Sequence, residues 1–178
     1  MVTPVLLVEH VRTRALSPGQ AQEVRQLCDA AYDTDTTSYF DAIGPGDHLL
    51  GRLEGELVSH LMWVPRWLQP GNDPPLRTAY VELVATAPAQ QRHGFASALL
   101  ERVPGLVGDY QLAALSPALK DLYTRLGWRF WRGPLSVRKD DTLIPTPNEQ
   151  VMVLSLPKSP PLDLDAPLSV EWRPGEVW

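Results

Sequence analysis

The sequence predicts an α+β fold built as a single domain over residues 1–178. Strand-like runs alternate irregularly with amphipathic helical stretches, and the chain shows no internal repeat and no low-complexity linker. The length of 178 residues is about that of one domain. Hydrophobic residues make up 44% and charged residues 21% of the chain, which is ordinary for a globular protein with a real core.

The first half of the chain predicts one helix among several strands. Ser17 is a good N-cap, and Pro18 suits the first position of a helix. The apolar stripe of this helix is Ala21, Val24, Leu27, Cys28 and Ala31. Strands are expected at residues 5–12, 48–53, 57–64 and 80–85, with a hairpin turn at 54–56. The prolines of residues 65–77 predict a loop.

The second half predicts two helices and several short strands. The helices are expected at residues 94–107 and 118–126, and Gly127 is a suitable residue to end the second. The strands are expected at residues 110–115, 128–132, 136–138 and 151–156.

Charge and cysteine content exclude several classes of protein. A net charge of −5 argues against a nucleic-acid surface, which needs a surplus of Lys and Arg. The single cysteine, Cys28, has no partner for an internal disulfide and is expected to be a core thiol. The sequence has no signal-peptide pattern and no run of 18 apolar residues, so we expect a cytoplasmic protein without a membrane segment.

The histidines do not predict a metal site, because their spacing is not that of ligands. His60 alternates with apolar residues and is expected to be a hydrogen-bonded histidine inside the sheet. His93 is expected to be an exposed ring. For Arg66 and Trp67 the sequence leaves open whether they contact a substrate or simply stack.

The segment from Tyr80 to Ala96 is the most informative part of the chain. Alternation along a strand would put Tyr80, Glu82, Val84 and Thr86 on one face, where Glu82 is the only carboxylate. Glu82 is therefore either a solvated carboxylate on an exposed face or a group that handles protons.

A short loop follows this strand, with the pattern Q-x-x-G-x-A, and a helix is expected to start from it. The first N–H groups of a helix have no partners within the helix and attract anions. The loop is not a nucleotide P-loop, because no Gly-Lys-Ser/Thr closes it. Its residues are Gln91, Arg92, His93, Gly94, Phe95 and Ala96.

A third motif, L-Y-x-x-x-G-W, begins at Leu122-Tyr123, and by itself Tyr123 could simply fill the core. Together with V-E-L-V-A and Q-x-x-G-x-A, in this order, it resembles the GNAT superfamily of acyl-CoA N-acyltransferases. The resemblance implies a mixed, mostly antiparallel central sheet flanked by helices and split around an acetyl-CoA site. It implies acetyl-CoA as co-substrate and direct acetyl transfer to an amine.

The same resemblance assigns roles by position. The loop of residues 91–96 would hold the pyrophosphate of acetyl-CoA, and the backbone of Val84, Ala85 and Thr86 would pair with its pantetheine arm. The N–H of Val84 would stabilise the oxyanion, Glu82 would be the base, and Tyr123 would protonate the departing thiolate.

The ending E-W-R-P-G-E-V-W makes the chain similar to the aminoglycoside 2′-N-acetyltransferase family in particular. The implied substrate-binding residues are Asp35, Glu82, Leu83, Ser116, Asn148, Glu149 and Trp178. The chain departs from that family at Leu83, where glycine is expected, and at Asn148-Glu149, where aspartates are expected. Between Ser116 and Tyr123 it is also two residues shorter.

Two further features agree with a polycationic substrate. Residues 29–51 contain no Lys or Arg, and negative walls concentrate cations; a solvated acidic loop is the alternative. The acidic residues are Asp29, Asp33, Asp35, Asp41 and Asp47. Residues 157–178 are too apolar for a free tail and are expected to be an extended segment docked on the body, although Trp172 and Trp178 could also just cover an apolar patch.

The sequence thus predicts an acetyl-CoA-dependent N-acetyltransferase acting on an aminoglycoside or amino sugar, possible as a homodimer. One alternative is an N-acetyltransferase for another small amine or a peptide N-terminus. The other is a non-catalytic module that binds acyl-CoA or sequesters a drug.

Overall fold

The computed structural model describes residues 5–178 and shows an α+β fold, as predicted. The strands are β1 (Leu7–Arg12), β2 (Asp47–Leu53), β3 (Glu56–Pro70), β4 (Leu76–Thr86), β5 (Leu112–Leu115), β6 (Arg129–Phe130), β7 (Leu135–Lys139), β8 (Thr142–Pro145), β9 (Met152–Ser155) and β10 (Leu168–Glu171). The helices are α1 (Pro18–Tyr32), α2 (Thr37–Ile43), α3 (Phe95–Leu100), α4 (Val103–Leu106) and α5 (Lys120–Arg125). Of the helices in the described residues, none is long and apolar enough to cross a membrane.

The described residues group into two compact units. The first contains the residues up to Val64 together with Val81–Val103, and the second contains Pro65–Tyr80 and Pro104–Trp178. The prediction of a single domain stays a prediction.

In the first unit, β2 pairs antiparallel with both β1 and β3. Helix α1 begins as predicted: the Ser17 hydroxyl accepts from the Gln20 N–H, and the Gln20 side chain accepts from the Ser17 N–H. This reciprocal pair satisfies two backbone donors that the helix itself cannot. The helix buries Val24, Leu27 and Cys28, which belong to the predicted stripe.

In the second unit, the strands form a mixed set of pairs. β5 runs parallel to β4 and antiparallel to β9, which also pairs antiparallel with β6. β10 runs parallel to β7 and antiparallel to β3, and β7 forms an antiparallel hairpin with β8. The prediction of a mixed and mostly antiparallel sheet is therefore confirmed.

The predicted helix at residues 94–107 is interrupted. The structure has α3 up to Leu100 and a separate short α4 from Val103. Pro104 explains the break, because a proline has no N–H to give to the carbonyl four residues earlier and its ring clashes there. The helix expected at residues 118–126 is present as α5, and Gly127 follows it with a φ of +86°.

The predicted loop at residues 65–77 is wrong. β3 continues through Pro70, and β4 already starts at Leu76. Within this extension Arg66, Leu68 and Pro70 are buried while Pro65 and Trp67 are exposed, which is the alternation of a strand. β10 stabilises it by pairing Leu168–Val170 with Leu68–Pro70.

The sequence analysis also missed three elements. Helix α2 lies within the acidic segment, β8 forms the second arm of a hairpin, and β10 lies in the C-terminal segment. The other predicted strands are present with ends shifted by a few residues.

Candidate active site

Glu82 lies in β4 and is buried, with an exposed fraction of 5%. The hydroxyl of Tyr39, from α2, donates a hydrogen bond to its Oε2 at 2.9 Å. The alternative of a solvated carboxylate on an exposed face is therefore wrong. A buried carboxylate held by a phenol is an arrangement that can take up a proton from a bound ligand.

The next residue, Leu83, interrupts the regular strand. Its φ is +50°, in the left-handed region that side chains other than glycine rarely adopt, and it is buried. Such a conformation costs about 1–3 kcal/mol unless its surroundings hold it. The carbonyl of Leu83 lies 3.0 Å from Nδ1 of His60 on β3. The simple alternation predicted from Tyr80 to Thr86 therefore does not continue through Leu83.

The backbone carbonyls after Leu83 are held by side chains of the same unit. The Tyr32 hydroxyl, at the end of α1, donates to the carbonyl of Val84 at 3.0 Å. Ser59 on β3 donates to the carbonyl of Ala85 at 3.1 Å and lies 3.0 Å from the hydroxyl of Thr86. The end of β4 is thus fixed along its length.

The loop of residues 91–96 lies at the surface and leads into α3. Arg92 and Gly94 both have positive φ, +66° and +82°. Helix α3 has no side-chain cap at its first turn and no acidic residue there. His93 is exposed, as predicted, and stacks on Phe95 with ring centroids 5.9 Å apart.

Asp35 is exposed in the turn before α2. Its carboxylate accepts from the N–H of Thr37 at 2.8 Å, and hydrogen bonding to Thr37 lowers the pKa of Asp35. Asp35 therefore shapes the start of the helix that carries Tyr39.

In the second unit, Tyr123 lies in α5 and is 4% exposed. Its ring meets that of Trp128 edge-on, with centroids 6.3 Å apart. Burial raises the pKa of Tyr123 to about 12, so the phenol keeps its proton at any ordinary pH.

Four of the predicted substrate positions lie within the second unit. Ser116, directly after β5, donates to the carbonyl of Gln150 at 3.2 Å. Trp178 is buried, and its indole N–H donates to the Thr146 hydroxyl at 2.8 Å. Asn148 and Glu149 lie between these two contacts, in the turn that leads from β8 toward β9.

The C-terminal segment is anchored by Arg66, whose role the sequence left open. Arg66 is 3% exposed, and its Nε lies 2.7 Å from the Glu171 carboxylate. Its Nη2 also donates to the carbonyl of Val177 at 3.0 Å. Trp178 is 3% exposed and Trp172 is 45% exposed, so Trp178 is the more deeply buried of these two tryptophans.

Cys28 and His60 are placed as the sequence predicted. Cys28 is fully buried, and burial raises the pKa of its thiol to about 12, which makes it a poor nucleophile. His60 is fully buried and both of its ring nitrogens have hydrogen-bond partners. Within residues 5–178, no three His, Cys, Asp or Glu side chains come together as a metal site would require.

Sequence reasoning missed Tyr32, Tyr39 and His48 as parts of this site. Tyr32 contacts strand β4 from the end of α1 and Tyr39 contacts it from α2, and no sequence motif marks either contact. His48 lies 2.9 Å from His60. From the sequence, its spacing from the other histidines predicts neither a metal site nor this contact. The alternation of side chains along the paired strands β2 and β3 would have been the signal, because it puts the two histidines diagonally opposite each other on one face of the sheet.

A family model described as an acetyltransferase (GNAT) domain matches residues 12–131. The chain is also 32% identical to an aminoglycoside 2′-N-acetyltransferase from Mycolicibacterium fortuitum, over 94% of this chain and 90% of that protein.

The chain belongs to the GNAT acetyltransferases.

Solved GNAT structures share its fold. The GNAT family N-acetyltransferase YhbS from Escherichia coli, solved in complex with CoA, superposes with a TM-score of 0.64 at 14% identity, covering 97% of this chain and 93% of that one. Eis1 from Mycobacterium abscessus superposes with a TM-score of 0.59 at 18% identity over 74% of this chain. The matched part of this chain covers 32% of the length of Eis1.

Proposed function

We propose that this GNAT protein transfers an acetyl group from acetyl-CoA to a primary amine of an aminoglycoside or amino sugar, of the 2′-amino type. The similarity to an aminoglycoside 2′-N-acetyltransferase along nearly the whole chain supports the substrate class. The observation that carries the chemistry is the buried carboxylate of Glu82, held by Tyr39 beside the left-handed Leu83.

Glu82 acts as the base. Most amines are protonated at neutral pH and then have no lone pair for attack, so a base must take this proton before the nitrogen attacks the thioester carbonyl. A carboxylate has several acceptor lone pairs, so one that accepts from Tyr39 can also accept from an amine or a water. A positioned base of this kind contributes about 10²–10⁴ in rate.

The N–H of Val84 stabilises the oxyanion that forms on the thioester carbonyl. The positive φ of Leu83 turns the backbone of β4 out of its regular ladder just before this N–H, and Tyr32 holds the carbonyl of Val84. One preorganised donor is typically worth about 3–4 kcal/mol of barrier.

The residues of the loop at 91–96 are suited to holding the pyrophosphate of acetyl-CoA. The positive φ values of Arg92 and Gly94 change the direction of successive N–H groups, as in backbone anion nests. No side-chain cap satisfies the first N–H groups of α3, and a Cβ on Gly94 would meet nothing within 4 Å, so the backbone is open to a ligand. When bound, acetyl-CoA supplies the acetyl thioester and a thiolate leaving group, and Val84, Ala85 and Thr86 lie along its pantetheine arm.

The acidic segment at residues 29–51 attracts a polycation, but with fewer free carboxylates than the sequence suggests. Asp29 accepts from the N–H and hydroxyl of Thr36, and Asp47 pairs with His10 at 2.8 Å. Asp33, Asp35 and Asp41 are exposed and supply the attraction, and of these Asp35 also accepts from the N–H of Thr37. The proposed substrate-binding residues of the second unit are Ser116, Asn148, Glu149 and Trp178.

Free-thiol release from acetyl-CoA tests the proposal. The purified chain is assayed with a panel of aminoglycosides that carry or lack a 2′-amino group. Release with the 2′-amino members alone, and a product acetylated at that nitrogen by mass spectrometry and NMR, is the expected result. Release only with other amines or peptide N-termini would overturn the substrate class, and binding of acetyl-CoA without any release would overturn the activity.

A further inference from the structure

A buried pair of histidines lies behind the strand that carries Glu82. His48 on β2 is 2% exposed and His60 on β3 is 0% exposed. Nδ1 of His48 lies 2.9 Å from Nε2 of His60, and Nδ1 of His60 lies 3.0 Å from the carbonyl of Leu83. At the far end, Nε2 of His48 lies 2.8 Å from the hydroxyl of Thr13. The proposed chemistry uses none of these side chains directly.

The carbonyl of Leu83, the last acceptor in this chain of hydrogen bonds, determines which atom donates in the bonds of the two histidines. The carbonyl of Leu83 can only accept, so His60 carries its proton on Nδ1 and a neutral ring must accept at Nε2. His48 therefore donates from Nδ1, which leaves its Nε2 as an acceptor for the Thr13 hydroxyl; the carbonyl of Gly46, at 3.0 Å, is a second acceptor for the same hydroxyl proton. The Thr13 oxygen in turn accepts from the N–H of Gly46 at 2.8 Å. The bond from His48 to His60 and the bond from His60 to the carbonyl of Leu83 therefore both point toward Leu83.

The pair is neutral at ordinary pH. Burial lowers the pKa of His48 to about 4 and that of His60 to about 3. The charged groups near the chain do not reverse this, because Asp47 pairs with His10 and the Cys28 thiol, 3.7 Å from His60, keeps its proton. A neutral pair can keep the one-way arrangement that the carbonyl of Leu83 requires.

The position of the bond matters because Leu83 holds the strained backbone between Glu82 and Val84. Tyr39 fixes the Glu82 carboxylate and Tyr32 fixes the carbonyl of Val84. His60 holds the residue between them, whose φ is +50°. The Leu83 carbonyl and the Val84 N–H belong to the same peptide group. If His60 did not donate to this carbonyl, that bond would no longer hold the peptide group in its strained conformation, and the Val84 N–H would move with it.

We infer that the His48–His60 pair is a positioning device, which holds the carbonyl of Leu83 so that the Glu82 carboxylate and the Val84 N–H keep the geometry that acetyl transfer needs. The pair is not a proton relay, since a peptide carbonyl has no proton to pass on. This inference rests on the proposed acetyl transfer.

Two amide substitutions at one position test the pair. In His60→Asn the amide nitrogen falls near the former Nδ1 and can still donate to the carbonyl of Leu83, whereas in His60→Gln it falls near the former Nε2 and cannot. We expect His60→Gln to lower kcat about tenfold or more and His60→Asn to lower it about threefold or less, with the KM for acetyl-CoA nearly unchanged in both. Thermal midpoints of both variants are measured alongside, because a merely structural role would lower them and kcat alike.

A rescue variant makes the test sharper. Glycine adopts a positive φ without strain, so Leu83→Gly should restore part of the kcat lost in His60→Gln, giving a clear coupling between the two sites in a double-mutant cycle. Additive effects of the two substitutions would overturn the inference.

Imidazole ¹⁵N NMR gives a readout that does not depend on turnover. Both rings should show the proton on Nδ1 at neutral pH, and a proton on Nε2 of His60 would overturn the inference. The two failures remain distinguishable: a wild-type protein that acetylates no amine contradicts the proposed function, whereas an active wild type with equal losses in His60→Gln and His60→Asn contradicts the positioning role alone.

Discussion

Glu82 is the proposed base, and its substitution gives the sharpest test at the scale of single residues. Glu82→Gln keeps the shape of the side chain and its contact with Tyr39 but cannot take a proton. We expect kcat/KM to fall about a hundredfold or more, with the largest loss at low pH, where the amine is most protonated. The pH–rate profile from pH 6 to 9 measures this.

Tyr39→Phe is the control for that substitution. It removes the donor to Oε2 while leaving the carboxylate in place. Its loss of rate should be much smaller than that of Glu82→Gln. A pH–rate profile of Glu82→Gln parallel to that of wild type would reject Glu82 as the base.

Tyr123 should contribute modestly. Its pKa of about 12 lies above that of a free thiol, about 8.5, so in its proposed role the phenol would assist the thiolate by hydrogen bonding, because full proton transfer is uphill. We expect Tyr123→Phe to lower kcat by about tenfold, with little change in the thermal midpoint because the ring stays packed on Trp128. Steady-state kinetics at saturating amine measure it, and a loss as large as that of Glu82→Gln would show that the phenol does more than assist.

Among the elements, the C-terminal segment is fixed by side chains far from it in sequence. Deleting residues 176–178 removes the Val177 carbonyl that Arg66 contacts and the indole that bonds Thr146. We expect the KM for the aminoglycoside to rise more than the KM for acetyl-CoA. The free energy of unfolding should fall by about 1–3 kcal/mol, because a buried guanidinium loses an acceptor.

Trp178→Phe is the matched control for the deletion. It keeps an aromatic ring in the buried position and removes only the bond to Thr146. If the deletion changes both KM values equally, the segment does not contribute to amine binding.

A close contact between two loops gives a second prediction for the elements. A Cβ on Gly133 would lie 1.9 Å from the carbonyl oxygen of Ala166, so the backbone would have to move. We expect Gly133→Ala to destabilise the protein by about 1–3 kcal/mol or more. Gly105→Ala in α4, where a Cβ meets nothing within 4 Å, should be neutral or stabilise by up to about 1 kcal/mol. Denaturant unfolding compares the two, and equal effects would contradict the close contact.

At the scale of the whole molecule, the buried histidines should limit stability in acid. Their pKa values are about 4 and 3 in the folded protein against 6.5 for an ordinary histidine, so below pH 6.5 the unfolded chain binds protons that the folded chain does not. The contribution of these two histidines to stability should be constant above that pH and fall as the pH drops toward 4. Each histidine adds at most about 1.4 kcal/mol per pH unit to this slope.

Unfolding midpoints measured between pH 4 and 7.5 check the prediction. His60→Asn should flatten the slope, and His93→Gln, which removes an exposed ring, should leave it as in wild type. A slope that His60→Asn does not change would show that other groups govern acid stability.

Local chemistry in the sequence determined much of the fold. The cap at Ser17, the glycine after α5 and the order of strand and helix patterns depend on residues a few positions apart, and these predictions are confirmed. Membership of the GNAT family was predicted from three short motifs in a fixed order, and each motif likewise depends on residues a few positions apart.

Tertiary structure alone decided how the site is held. The sequence of residues 65–70 predicts a proline-rich loop. These residues are nevertheless part of strand β3, because β10, about a hundred positions later, pairs with Leu68–Pro70. Nothing local predicts a leucine at a φ of +50°, because the strain is tolerated only where Leu83 is held by a histidine from another strand. The same is true of Tyr39 on Glu82 and Arg66 on Glu171: each is a contact between distant parts of the chain, and no spacing in the sequence encodes it.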